Sequence, residues 1–228
     1  MSAKSIAEQI EEFIPSYPDP SSKEYSYKIS LKKEFYDEKL DVVEDIPTQS
    51  GIPLKSQTFL RRLFSGKTPN TKALLFQGLG TGKTCTSSGI VEVLKHIPLN
   101  DGKRNPALVL TLNDTLIAGY KNQVLNQCTK NVYIPKFKTS EIQKGITEES
   151  RNARINKLFR QSYEMSTYDT FLRKLVGRDE RIKEKYSNRV IILDEFQSVR
   201  ERSSNKKKKS LLGSPKESYQ EIYKKLHH

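Results

Sequence analysis

The stretch Gln77-Gly78-Leu79-Gly80-Thr81-Gly82-Lys83-Thr84 places glycines, a lysine and a threonine at a spacing that suits one task. A triphosphate needs a concave ring of backbone N–H groups, a cation over its outer phosphates and a hydroxyl for magnesium. Gly78, Gly80 and Gly82 let the backbone fold closely around the phosphates with N–H groups pointing inward. Lys83 would reach the β- and γ-phosphates, and Thr84 would ligate Mg²⁺. The expected cofactors are therefore ATP and Mg²⁺, with Gln77 through Thr84 as the binding segment. The pattern GxxxxGK[ST] is met except at its first position, where Gln77 stands in place of glycine. The plainer reading is a glycine-rich strand-to-helix turn with a chance Lys-Thr.

A second group lies more than a hundred residues on, in Val190-Ile-Ile-Leu-Asp-Glu-Phe-Gln197. An apolar strand here would deliver Asp194 and Glu195 at its C-terminal edge, beside the first loop in a doubly wound sheet. Asp194 would hold Mg²⁺ through water. Glu195 would orient and deprotonate the attacking water, as phosphoryl transfer to water requires. Alone, an acidic pair ending a strand is as often a helix cap or a surface turn.

These residues need strands and helices to hold them. Ala73–Phe76 reads as a short buried strand before the loop, and about Lys83 to His96 as the helix after it. A second unit repeats the shape: 107–112 as a strand, then a helix signalled by Asn113, Asp114 and Thr115. Residues 129–137 read as a further strand ending at Pro135. Ile155, Leu158 and Phe159 predict a helix, 166–176 a strand end running into a helix, and 189–193 the most apolar strand. Leu54, Phe59, Leu60, Leu63 and Phe64 predict an amphipathic helix ahead of the loop. Helical spacing is present over 5–14 and again from Ser214, where Ser-Pro-Lys-Glu forms a capping box. Strands alternating with helices predict an α/β fold with a parallel, doubly wound sheet. The domain reading is an acidic, proline-containing arm over 1–50 and one ATP-binding domain over 51–228.

The totals agree with one core carrying polar appendages. The chain has 228 residues, 35% hydrophobic and 29% charged, with a net charge of +13. The charge balance is −5 over residues 1–50, +12 over 51–195 and +6 over 196–228. A positive field on the core points to a polyanion, most simply DNA or RNA held through phosphates. A merely Lys-rich surface is the alternative. Cys85 and Cys128 are the only cysteines and form no CxxC pair, so neither a disulfide framework nor a zinc site is expected, and a reducing compartment fits. No apolar run approaches the ~20 residues of a membrane span, and the N-terminus is no signal peptide. A soluble, intracellular protein without membrane contact is expected.

The segments LLFQGLGTGKTCT and NRVIILDEFQSVR, with the intervening Thr167-Tyr168-Asp-Thr-Phe, resemble the first RecA-like lobe of superfamily 2 helicases. The resemblance is to the type found in nucleocytoplasmic large DNA viruses, such as the poxvirus nucleoside triphosphatase I and early transcription factor helicases. It covers about 52–228. It implies a P-loop NTPase fold with helices on both faces of the sheet and ATP hydrolysis coupled to nucleic acid. Gly80, Gly82, Lys83 and Thr84 match motif I; Asp194, Glu195 and Gln197 match the DExH/DExx box. Gln197 replaces the usual His or Asp, so its role in coupling is open. Leu110–Leu116 resembles motif Ia and Thr167-Tyr168 motif Ib, both phosphate-backbone contacts in the family, and Gln57 is placed to read adenine. Each could also be an ordinary helix surface or strand-to-helix junction.

The resemblance also implies a second lobe with arginine fingers after His228, so this chain reads as the front part of a motor, weak or inactive in hydrolysis alone. Its expected partners are nucleic acid and either that second lobe or an RNA polymerase, in a virion or in viral factories of the host cytoplasm. The competing function is a non-catalytic nucleic-acid- or polymerase-binding module derived from a helicase. A packaging or AAA+ ATPase is a third class, against which the TYDTF segment speaks. Lys206–Lys209 reads either as a nucleic-acid or import patch or as a solvated loop tip.

Overall fold

The computed structural model describes residues 17–39, 53–78, 80–97, 105–137, 139, 145–175 and 184–196. The helices expected over 5–14 and from Ser214, the run Lys206–Lys209, Leu79 and Gln197 lie outside the described residues. The chain divides into two compact units, Met1–Thr81 and Gly82–His228.

The first unit holds α1 (Tyr25–Ser30), α2 (Lys33–Tyr36) and α3 (Lys55–Leu63). The apolar spacing read over 54–64 does form a helix. Phe59 of α3 meets Phe35 of α2 edge-on, with ring centroids 5.2 Å apart, and Phe35 is buried. Arg62 pairs with Glu38 at 2.9 Å, fixing the same contact from its polar side. The Tyr17 hydroxyl donates to Glu34 at 2.7 Å. That bond, with burial added, raises the phenol to about 12 and holds the Glu34 carboxyl below its usual range.

Ala73–Phe76 is a correction. These residues form no strand, and Leu74 and Phe76 are 79% and 94% exposed. A four-residue apolar run becomes a strand only where a neighbour supplies ladder partners, and none of the described strands pairs with this one.

The second unit is built on a parallel three-stranded sheet in the order β2-β1-β3. Its strands are β1 (Ala107–Thr111), β2 (Tyr163–Thr167) and β3 (Ile191–Leu193). Ala107 to Thr111 lie opposite Tyr163 to Thr167, and Leu108 to Leu110 lie opposite Ile191 to Leu193. The helices are α4 (Lys83–Leu94), α5 (Asp114–Gln123), α6 (Glu148–Arg160) and α7 (Tyr168–Leu175), with a π-helical turn at Val124–Cys128. Every residue of β1 is buried, as a central parallel strand requires. Its side chains alternate between two cores. Leu108 and Leu110 pack with Tyr168, Phe171, Leu172 and Tyr186 on one face. Ala107 and Val109 pack with Val91, Tyr120, Val124, Phe159 and Tyr163 on the other. The small parallel sheet is thus covered by helical residues on both faces, an α/β arrangement.

Three details depart from the sequence expectations. Residues 129–134 form turns instead of a strand, with Lys130 and Asn131 at positive φ. The strand expected over 189–193 is confined to Ile191–Leu193, and its residues are half-buried because β3 is an edge strand of the described sheet. Cys85 and Cys128 form a disulfide, against the expectation of two free thiols. The π-helical turn runs beside α4 and brings the two Cα atoms to 4.8 Å, a proximity that a separation of 43 residues does not announce. No described helix is long and apolar enough to cross a membrane.

Candidate functional site

The boundary between the two units falls inside the glycine-rich motif, between Thr81 and Gly82. In the first unit, Gly80 has φ +75°, a conformation glycine adopts without the penalty of a side chain. The Thr81 hydroxyl donates to the Gly78 carbonyl at 2.8 Å, closing the turn. Gln57 is buried in α3, where its carboxamide oxygen accepts from the Leu54 N–H at 3.2 Å and caps the helix.

In the second unit, Gly82 takes φ +80° and caps α4, a helix of 12 residues that Lys83 and Thr84 open. Its carbonyl accepts from the Thr86 N–H at 2.9 Å and the Thr86 hydroxyl at 3.1 Å. The first N–H groups of a helix have no intrahelical acceptor, so this end favours an anion.

The flank of α4 is anchored by a polar network that the sequence did not signal. Glu92 Oε1 accepts from the Tyr133 hydroxyl at 2.5 Å and the Tyr163 hydroxyl at 2.8 Å, and the carboxylate pairs with Lys95. Ser87 and Tyr120 hydroxyls meet at 2.9 Å. Burial pushes the Tyr120 and Tyr163 phenols well above their ordinary range, so both remain neutral donors or acceptors. With the Cys85–Cys128 disulfide at its first turn, α4 is fixed at both its ends.

At the C-terminal end of β3, the Asp194 N–H donates to the Leu110 carbonyl at 2.9 Å, continuing the ladder one residue past the strand. Glu195 then leaves the sheet with φ +53°. Its carboxylate meets the Lys83 ammonium at 3.2 Å. The lysine that opens α4 and the acid that ends β3 are therefore brought together across 112 residues of chain. Both side chains are about one-third exposed, so the pair is worth about 0–1 kcal/mol and yields readily to a stronger anion. Asp194 is half-buried; desolvation and the neighbouring Glu195 raise its pKa, against the pull of Lys83. The Tyr168 hydroxyl donates to the Asp194 carbonyl at 2.9 Å.

Of the residues singled out from sequence, Lys83, Asp194 and Glu195 meet here, with Thr84 next along α4; Leu79 and Gln197 lie outside the described residues. These groups fit magnesium and a phosphate chain. Mg²⁺ binds through one or two protein oxygens with the rest of its shell from water and phosphate, and the half-buried Asp194 carboxylate and the Thr84 hydroxyl, one residue past Lys83, are donors of that class. The motif Ia-like and Ib-like segments sit at the same end of the sheet, Thr111 lying opposite Thr167. Asn113 Oδ1 caps α5 through the Leu116 N–H at 3.0 Å. Thr167 Oγ1 accepts from the Thr170 N–H at 3.2 Å at the start of α7.

No protein-family profile matches the chain, and no solved structure matches it. Curated relatives do. The chain is 26% identical over 193 residues to a protein named putative ATP-dependent RNA helicase L377 of Acanthamoeba polyphaga mimivirus, covering 77% of this chain and 16% of that protein. It is 25% identical over 227 residues to putative helicase 087L of Invertebrate iridescent virus 3, covering 95% of this chain and 21% of that protein. It is 29% identical over 146 residues to putative helicase 009L of Frog virus 3, covering 63% of this chain and 14% of that protein. The chain thus spans between 14% and 21% of the lengths of these relatives, and its similarity is to helicase-named proteins of large DNA viruses.

Proposed function

We propose that this chain is the ATP-binding lobe of a viral, nucleic-acid-dependent ATPase of the DExH/DExx helicase type, with a P-loop fold over 51–228. The observation that carries the reading is the 3.2 Å approach of Lys83 to Glu195, which joins the two motifs at one sheet edge. Lys83 holds the outer phosphates once they displace Glu195. Glu195, released from the lysine, faces the phosphate chain as the acceptor for a water proton. Thr84 and Asp194 would hold Mg²⁺, which would supply positive charge against the phosphate oxygens. The backbone N–H groups at the start of α4, after Gly82, cradle the phosphates.

The names of the relatives support nucleic acid as the polymer that couples to this site. The +12 balance over 51–195 supports contacts to phosphate in preference to bases. Such binding weakens steeply with salt. A second lobe or an RNA polymerase is the protein partner in this reading, and the poxvirus nucleoside triphosphatase I and early transcription factor group is a functional parallel.

The test is ATP hydrolysis by the chain with and without single-stranded DNA or RNA, beside Glu195→Gln. Slow turnover abolished by Glu195→Gln supports the enzyme. Tight ATP and nucleic-acid binding with turnover equal in both proteins selects the alternative, a non-catalytic binding module. Absence of ATP binding defeats both.

A further inference from the structure

Asp194 and Glu195 form the acidic corner of the site, and the backbone there is in a costly conformation. A non-glycine residue at φ +53° persists only where its surroundings impose it. The φ of Glu195 is the rotation about its own N–Cα bond, measured from the peptide plane whose oxygen is the Asp194 carbonyl. Whatever holds that carbonyl fixes the plane from which the Glu195 side chain departs. The holder is Tyr168, whose hydroxyl donates to the Asp194 carbonyl at 2.9 Å. The Tyr168 ring is 2% exposed and packed among Leu108, Leu110, Phe171 and Leu172, so the donor has little freedom to follow a shifting acceptor. The other side of Asp194 is fixed by its N–H on Leu110.

We infer that Tyr168 is a positioning residue for the acidic corner: its phenol pins the Asp194–Glu195 peptide so that Glu195 leaves β3 toward Lys83 and Asp194 keeps the orientation that receives Mg²⁺. The magnesium part of this inference rests on the proposed nucleotide reading; the backbone part does not. Loss of the hydroxyl removes one hydrogen bond from a strained turn while leaving the ring in its core.

The experiment is a double-mutant cycle of Tyr168→Phe and Glu195→Gly on the full chain, read by thermal melting and by ATP titration with and without Mg²⁺. Glycine adopts φ +53° freely, so a clamp on residue 195 is needed only while a side chain is there. In the parent background, Tyr168→Phe is expected to lower Tm and to reduce the Mg²⁺-dependent gain in ATP affinity about three- to fivefold, the scale of one hydrogen bond. ATP affinity without Mg²⁺ stays unchanged. In the Glu195→Gly background, the melting effect of Tyr168→Phe falls to less than half. Equal melting losses in both backgrounds, or an unchanged Mg²⁺ gain beside a Lys83-dependent ATP site, overturns the inference. If the parent binds no ATP, the nucleotide reading fails and the melting cycle still decides whether Tyr168 holds Glu195.

Discussion

The two halves of the glycine-rich motif stand in contrasting settings. Gly82-Lys83-Thr84 opens a helix whose Thr86, Ser88, Gly89 and Val91 are buried, and whose first turn carries a disulfide. Ala73–Phe76, ahead of the other half, is in no strand and leaves Leu74 and Phe76 in solvent. Both segments adjoin the same motif. The difference lies in non-local partners: the helix has a packed core and a covalent tie, whereas the four-residue run has no described strand beside it. Local pattern announces a chemical motif well, but burial of a short strand depends on a distant edge to pair with.

Substitutions in the two regions should separate by size. Leu110→Ala empties the centre of β1, a fully buried position, and is expected to cost about 2–5 kcal/mol in denaturant unfolding. A loss below ~1 kcal/mol would mean that the sheet is not the core of its unit. Reducing the Cys85–Cys128 bond, or Cys128→Ser, releases a loop of 43 residues and should cost about 2–4 kcal/mol. Melting that is indifferent to dithiothreitol would show that the bond is absent or idle. Phe76→Ser sits at the other extreme. With its ring in solvent, the change should stay within about 0.5 kcal/mol. A large loss there would break the comparison, because it would require Phe76 to be covered.

Acid should sharpen it further through two carboxyls with opposite shifts. Glu164 is desolvated, yet its partner Arg189, 2.6 Å away with its side chain 2% exposed, holds its pKa below the usual value. Its contribution to stability is present above the unfolded carboxylate pKa and is lost as pH falls through the lower folded value. Glu164→Gln should cost about 1–3 kcal/mol at neutral pH and less in acid. Asp194 behaves oppositely. Burial raises its pKa, so its contribution is full below the unfolded carboxylate range and falls as pH rises through the raised value. The Mg²⁺-dependent part of ATP affinity should then vanish, as pH is lowered, earlier than an ordinary carboxylate would allow. A Mg²⁺ dependence that persists to the ordinary carboxylate range would show that the Asp194 carboxyl is not raised in the folded protein.

Much of the candidate site was legible in the residues because its signals are local. Glycines before Lys83-Thr84 announce a helix start whatever the rest of the chain does, and an apolar run ending in Asp194-Glu195 announces a strand edge. The same holds for β1, where five consecutive apolar or β-branched residues suit a strand buried on both faces. The contacts that position these groups were not legible. Glu92 gathering Tyr133 and Tyr163, Cys85 meeting Cys128, and Tyr168 holding Asp194 are all pairings between distant segments, set by how helices lie on the sheet. Residues 129–134 failed as a strand for a related reason. Apolar Val132 and Tyr133 follow Lys130 and Asn131, whose positive φ values turn the chain before a strand can form.

The central claim is that Lys83 is the phosphate-binding cation of an ATP site. Calorimetric titration of the chain with ATP and Mg²⁺, beside Lys83→Ala, tests it most directly. The account predicts saturable one-site binding by the parent and a loss of roughly a hundredfold or more in the variant, as expected when a charge-assisted contact to phosphate is removed. Equal affinity in the two proteins, with both folded by circular dichroism, would contradict it.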